Sequence, residues 1–294
     1  MSNRFFMVGV FAESAYSGNQ LAVVVCDAPI GDETMQKIAA VMNFSETTFL
    51  APDVEADGGY RVRIFTPVRE IDFAGHPILG TAWVIRHHLI TTGVSEVRLN
   101  LARDSVGVRF ESDSDGHETV WFRAPPMVLG AHPPAAKVAA ALGLTMDDID
   151  IATPVQMVSA GTAAVIVPLR SLDALRRSWL DLDRYRELMA DGFPPLVYQF
   201  TRETFDPEND LCVRFFFEAN GVREDPATGN GAAFLGAYLL EHRVPPDEQM
   251  ALRIEQGHAL CRPSLIQLRI QMNHGQQDVQ VGGRVVPVVL GELK

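Results

Sequence analysis

Two periodicities alternate along the 294-residue chain. Short apolar runs rich in β-branched and aromatic residues predict strands over residues 5–11, 21–25, 46–50, 60–65, 196–200, 211–217, 251–255, 265–272 and 279–290. Residues 155–169 also read as largely strand. Between these runs the apolar positions take helical spacing. Met35, Ile38, Ala39 and Met42 fall at i, i+3, i+4 and i+7, behind Asp32 as the cap and ahead of Asn43 as the stop. Further helices are predicted over residues 77–87, 135–142, 172–179 and 183–189, with Pro77 suited to a first helical turn. The apolar pattern stops at Ser112-Asp113-Ser114-Asp115-Gly116-His117-Glu118, a polar stretch that marks a hairpin tip or a domain boundary.

One pattern occurs twice. Val62-Arg63-Ile64-Phe65 matches Val213-Arg214-Phe215-Phe216, and each strand is followed by a glycine-rich turn and a helix. The helices align as Gly75-x-x-Ile78-Leu79-Gly80-Thr81 against Gly231-x-x-Phe234-Leu235-Gly236-Ala237. A duplicated strand–turn–helix unit would let two helix N-termini face one cleft. A chain of this length is expected to hold two domains, here residues 1–118 and 119–294, with the last strand returning to the N-terminal half.

Composition narrows the function. Apolar residues make up 47% and charged residues 21%, an ordinary globular balance. Acidic residues outnumber basic ones 37 to 25, for a formal charge of −12. Nucleic-acid binding needs clustered Lys and Arg; the densest pair, Arg176-Arg177, reads as a solvated helix face. Cys26, Cys212 and Cys261 are too few and too scattered for a disulfide framework, which suggests a reducing compartment. The opening run from Met1 to Val8 is too short for a signal peptide. No stretch approaches the roughly 18 apolar residues of a membrane span. The expectation is a soluble cytoplasmic protein that engages neither nucleic acid nor membrane.

The two glycine-rich turns are Phe73-Ala74-Gly75-His76-Pro77 and Asp225-Pro226-Ala227-Thr228-Gly229-Asn230-Gly231. Glycine admits close backbone approach, and the first N–H groups of a helix carry partial positive charge, so such an end receives carboxylate or phosphate. The second turn lacks the Lys of a nucleotide-phosphate loop, and neither turn has dinucleotide spacing. His87 and His88 are adjacent and cannot readily share a metal. No cofactor and no metal are expected.

Several segments together resemble the signature blocks of the phenazine-biosynthesis PhzF-like family. They are Tyr16-Ser17-Gly18-Asn19-Gln20-Leu21-Ala22, Asn43-Phe44-Ser45-Glu46-Thr47-Thr48-Phe49, Asp72-Phe73-Ala74-Gly75-His76-Pro77 and Arg223-Glu224-Asp225-Pro226-Ala227-Thr228-Gly229, followed by Gln256-Gly257, Arg262-Pro263-Ser264 and Val281-Gly282-Gly283-Arg284-Val285. The resemblance implies a diaminopimelate-epimerase-like α+β fold: two similar halves, each a curved, mostly antiparallel sheet around a central helix, with the active site between them. It implies a cofactor-independent isomerase acting on a small carboxylate-bearing substrate. Glu46 is then the acid/base, assisted by His76 and Asp225. Asn19, Gly75, Thr228, Gly229 and Asn230 fall to substrate binding. Relatives of this kind mostly form homodimers, and that expectation carries over.

An apolar setting beside Phe44 and Phe49 would lift the Glu46 pKa towards neutrality and suit it to proton transfer. Related racemases of the fold use a pair of cysteines, but none of the three here lies in a glycine turn. That favours isomerisation on one face, with a two-base epimerase using Glu46 and Asp225, or a non-catalytic binding protein, as the other readings. Two positions depart from the family pattern: Asn230 stands where serine is usual, and Cys261 where glycine is usual.

Overall fold

The computed structural model describes residues 2–219, 222–244, 249–273 and 275–294; Met1 of the opening run lies outside them. The chain forms two compact units, Met1–Arg123 with Gly282–Lys294, and Ala124–Val281.

The first unit begins with β1 (Asn3–Val10), β2 (Asn19–Val25), α1 (Asp32–Met42), β3 (Glu46–Val54), β4 (Tyr60–Phe65) and β5 (Glu70–Ile71). It continues with α2 (Gly75–His88), β6 (Glu96–Asn100), β7 (Ser105–Ser112) and β8 (Glu118–Arg123). In the second unit come β9 (Val128–Leu129), α3 (Ala135–Ala141), β10 (Gln156–Ala160), β11 (Thr162–Pro168), α4 (Leu172–Arg177), α5 (Leu182–Ala190) and β12 (Leu196–Thr201). It is completed by β13 (Leu211–Ala219), β14 (Val222–Asp225), α6 (Gly229–His242), β15 (Gln249–Gln256), β16 (Ser264–Asn273) and all but the last two residues of β17 (Gln276–Gly283). The chain then closes on the first unit as β18 (Val285–Leu293), antiparallel to β1.

The two units repeat one pairing scheme. In the first, β1–β2 is antiparallel, β2–β3 parallel, β3–β4 and β4–β5 antiparallel, β4–β6 parallel and β6–β7 antiparallel. In the second, β10–β11, β11–β12, β12–β13, β13–β14, β13–β15 and β15–β16 follow the same sequence of senses. The fold is α+β, with two similar halves. Each half carries an apolar helix at its centre: ten of the 14 residues of α2 and 11 of the 14 of α6 are buried. A helix apolar all round can be stable only when it is enclosed.

The repeated sequence positions do the same work twice. A Cβ on Gly80 of α2 would meet Leu21 at 2.5 Å and Val10 at 2.9 Å; one on Gly236 of α6 would meet Ile270 at 2.9 Å and Val279 at 3.0 Å. Each glycine thus lets its helix lie close on its own strands. Arg63 of β4 makes a two-pronged pair with Glu70 of β5, both contacts at 2.7 Å. Arg214 of β13 grips Glu224 of β14 likewise, at 2.8 and 2.7 Å. The two guanidinium groups lie over Phe65 and Phe216, at 5.1 and 4.6 Å from the ring centroids.

Local differences from the expected elements have physical causes. Gly31, not Asp32, is the N-cap of α1; Asp32 is drawn into an ion pair with Arg63 at 2.6 Å. Residues 155–169 are two strands, because Gly161 turns the chain at φ +78°. Residues 279–290 are likewise split between β17 and β18 at Arg284. The polar stretch 112–118 is the tip of the β7–β8 hairpin. Strands β6 to β8 were not expected, since charged residues such as Glu96, Arg98, Arg109 and Glu111 occupy their exposed positions and dilute the apolar signal. Among the described residues no helix is long and apolar enough to cross a membrane.

Candidate active site

In the first unit, four of the expected residues come together. Glu46 opens β3, level with Leu21 on the parallel neighbour β2. Side chains alternate along a strand, so Glu46 shares a face with Thr48, whose hydroxyl lies 2.9 Å from that of Thr81 on α2. His76, the second residue of α2, meets Glu46 on this face, its Nε2 lying 3.4 Å from Glu46 Oε2. Asn19 Nδ2 is 3.3 Å from the other ring nitrogen. Asn19 is held there by the tight turn before β2: Gly18 sits at φ +75°, with Val10 O only 2.5 Å from where a Cβ would stand. Gly75 begins α2 behind the extended Ala74, and no side chain caps the helix.

The electrostatics decide the character of the Glu46–His76 contact. The distance would allow an ion pair, but full burial holds the His76 pKa down to about 3, opposed only by a hydrogen bond with the Gln20 backbone. The imidazole is therefore neutral at physiological pH. A neutral imidazole beside a carboxyl can orient it through a hydrogen bond without burying a second charge. Phe49 does not wall this site. It points to the opposite face of β3, into the cluster of Val24, Met35, Ala39 and Phe65 under α1; three residues from Glu46 on a strand is the wrong parity.

The second unit builds a braced turn. Asp225 ends β14 and is buried, and the Thr228 hydroxyl donates to its Oδ2 at 2.5 Å. Gly229 starts α6, and the hydroxyl of its N-cap Thr228 does not cap the helix. Asn230 follows, half-buried. The brace is Gln256, fully buried at the end of β15. Its Nε2 donates to Asp225 O at 2.9 Å and to Thr228 Oγ1 at 3.1 Å, while its Oε1 accepts from Thr228 N–H at 3.0 Å. Gly257 completes the arrangement at φ +82°: a Cβ there would lie 2.2 Å from Arg262 O and 2.5 Å from Pro226 O.

The sequence reading did not single out Gln256, although the Gln256-Gly257 block was the available signal. The thiols stand apart from this chemistry. Burial pushes Cys26 up to about 11 and raises Cys212 as well, and Cys261 is exposed. A cavity of about 340 Å³ in the second unit, lined by Leu175, Phe205, Cys212, Arg214 and His258 among others, contains none of the expected site residues.

The first unit thus sets a buried neutral histidine beside a carboxyl, and the second a glycine-started helix after a braced aspartate. Comparison with known proteins assigns the class. The chain is 32% identical over 273 residues to the trans-2,3-dihydro-3-hydroxyanthranilate isomerase of Pseudomonas aeruginosa, covering 92% of this chain and 91% of that one. It is 33% identical to an uncharacterised isomerase of Mesorhizobium japonicum, over 99% of both chains. The crystal structure of a PhzF-family phenazine biosynthesis protein from Bacillus anthracis superposes with a TM-score of 0.90 at 24% identity, covering 100% of this chain and 99% of that one. The signature of the phenazine biosynthesis-like PhzC-PhzF family matches residues 8–291. The chain belongs to that family, and it is an isomerase.

Proposed function

We propose that the isomerase moves a proton on a small carboxylate-bearing metabolite without a cofactor, with Glu46 as the acid/base. The observation that carries this reading is the 3.4 Å approach of Glu46 to a His76 kept neutral by burial. In this reading Glu46 lifts a proton from carbon, His76 and Asn19 hold the carboxyl in place, and the proton returns elsewhere on the same conjugated system. The uncapped helix starts at Gly75 and at Gly229 are each suited to hold a carboxylate through backbone N–H groups, and Asp225 is fixed by Thr228 and Gln256. The named activity of the P. aeruginosa relative suggests a cyclic, amino-substituted dienoic acid as the substrate class.

The test is turnover of trans-2,3-dihydro-3-hydroxyanthranilate and related dienoic acids in deuterated water. The wild-type protein should isomerise one of them with incorporation of solvent deuterium. Glu46→Gln keeps the size of the side chain but cannot take up and return a proton; loss of about 10²–10⁴-fold is expected, with the fold intact. Wild-type turnover by the variant would end the Glu46 assignment, and loss of exchange in Asp225→Asn alone would favour a two-base epimerase.

A further inference from the structure

The first turn of α6 has a donor beneath it that the reaction scheme above leaves unused. Tyr198 lies on β12, level with Phe215 on β13, and Phe215 is level with Asp225 on β14. The three side chains therefore form a row on one face of adjacent strands. The Tyr198 ring lies against Gly231, the third residue of α6: a Cβ on Gly231 would stand 2.5 Å from Cδ2 and Cε2 and 3.3 Å from Cζ. The Cδ2–Cε2 edge of the ring thus packs against the first turn of α6, whose N–H groups belong to Gly229, Asn230 and Gly231.

That hydroxyl is fully buried and has no hydrogen-bond partner among the described residues. A buried hydroxyl left unmade is a cost that Phe would not carry, so packing alone does not account for tyrosine here. The topological twin in the first unit makes the contrast concrete. Thr48 takes the corresponding place on β3, and its hydroxyl is matched by Thr81 on the central helix. The repeat position of Thr81 in α6 is Ala237, which offers no polar side chain. Burial first, and then the nearby Asp225 charge, raise the Tyr198 pKa well above its usual value, so the group is a donor throughout the working pH range.

We propose that the Tyr198 hydroxyl donates a hydrogen bond to the carboxylate of a ligand bound at the first turn of α6. The proposal rests on the reading of the Gly229 turn as a carboxylate site. It adds a side-chain donor to that site and explains why Gly231 is small: any larger residue would displace the ring.

Benzoate is a suitable probe, titrated into [¹⁵N]glycine-labelled protein with the Gly229 and Gly231 amide resonances as reporters. In the wild type both should shift saturably. Tyr198→Phe should weaken binding by about 10-fold or more, the scale of a hydrogen bond to a charged group, with the melting temperature unchanged or higher. Equal benzoate affinity in the variant overturns the Tyr198 assignment and leaves the carboxylate site standing. If neither amide responds in the wild type, the α6 turn is not a carboxylate site, and both readings fall.

Discussion

Gln256 is the most economical place to perturb the second turn, because one side chain carries three of its hydrogen bonds. Gln256→Leu conserves much of the volume and removes all three. Two backbone groups, the buried Asp225 carbonyl and the part-buried Thr228 N–H, lose this bond as a result. At about 1–3 kcal/mol for each buried group left unsatisfied, and with some return from the added apolar surface, the second unit should lose about 2–4 kcal/mol. With a urea dependence of about 1–3 kcal/mol per molar, its unfolding midpoint should fall by on the order of 1 M. The effect should be local before it is global, since the N-terminal turn of α6 loses its brace. Hydrogen exchange read by mass spectrometry should therefore show faster exchange in peptides spanning Gly229–His242. Gln256→Glu restores the acceptor for Thr228 but places a second carboxylate beside Asp225, so it should not rescue. A midpoint within about 0.3 M of wild type, with α6 exchange unchanged, would refute the idea that Gln256 holds the turn.

Two further outcomes follow from the same geometry. His76 is neutral in the fold and titrates near 3, against about 6.5 when unfolded. Between those values the unfolded chain binds more protons, so its contribution to stability is fully present above about 6.5 and is lost as pH falls towards 3. His76→Asn should flatten the acid limb of the stability–pH curve in that window, measured by urea titration at a series of pH values; an unchanged slope would contradict a buried neutral imidazole. Cys261 holds a left-handed conformation at φ +54°, which costs a side-chain-bearing residue about 1–2 kcal/mol. Cys261→Gly should therefore raise stability by roughly 0.5–1 kcal/mol after the entropy cost of glycine, read from the shift in melting temperature.

The segments proposed for the site could be picked out in the sequence because each is local. The glycine-started helices, the Glu46 strand start and the Asp225 turn each occupy a few consecutive residues whose types carry the signal. Bonds between distant segments were less visible. Nothing local in Gln256 states that it will reach back 31 residues to the Asp225 carbonyl, and Tyr198 reads as an ordinary strand aromatic until Gly231 is placed on its ring. The Phe49 expectation failed for a different reason: nearness in sequence was taken for nearness in space, and strand parity sends that ring to α1. Strands β6 and β7 were hidden because charged residues fill several of their exposed positions. The Cys261 departure, in contrast, falls at a left-handed backbone position of the kind that favours glycine.

The duplicated plan of the two units has a consequence for how chemistry is shared out. A position that occurs twice can keep its residue in one copy and lose it in the other without loss of the architecture. The first residue of β3 is Glu46, and the first residue of its counterpart β12 is Leu196. Where one half holds an acid, the other holds hydrocarbon. At the level of β4 and β13, by contrast, both copies retain the arginine–glutamate clasp and the phenylalanine beneath it. Symmetry is kept where it supports the scaffold and broken at the position proposed for the acid/base, so the two halves are architectural siblings with unequal trades.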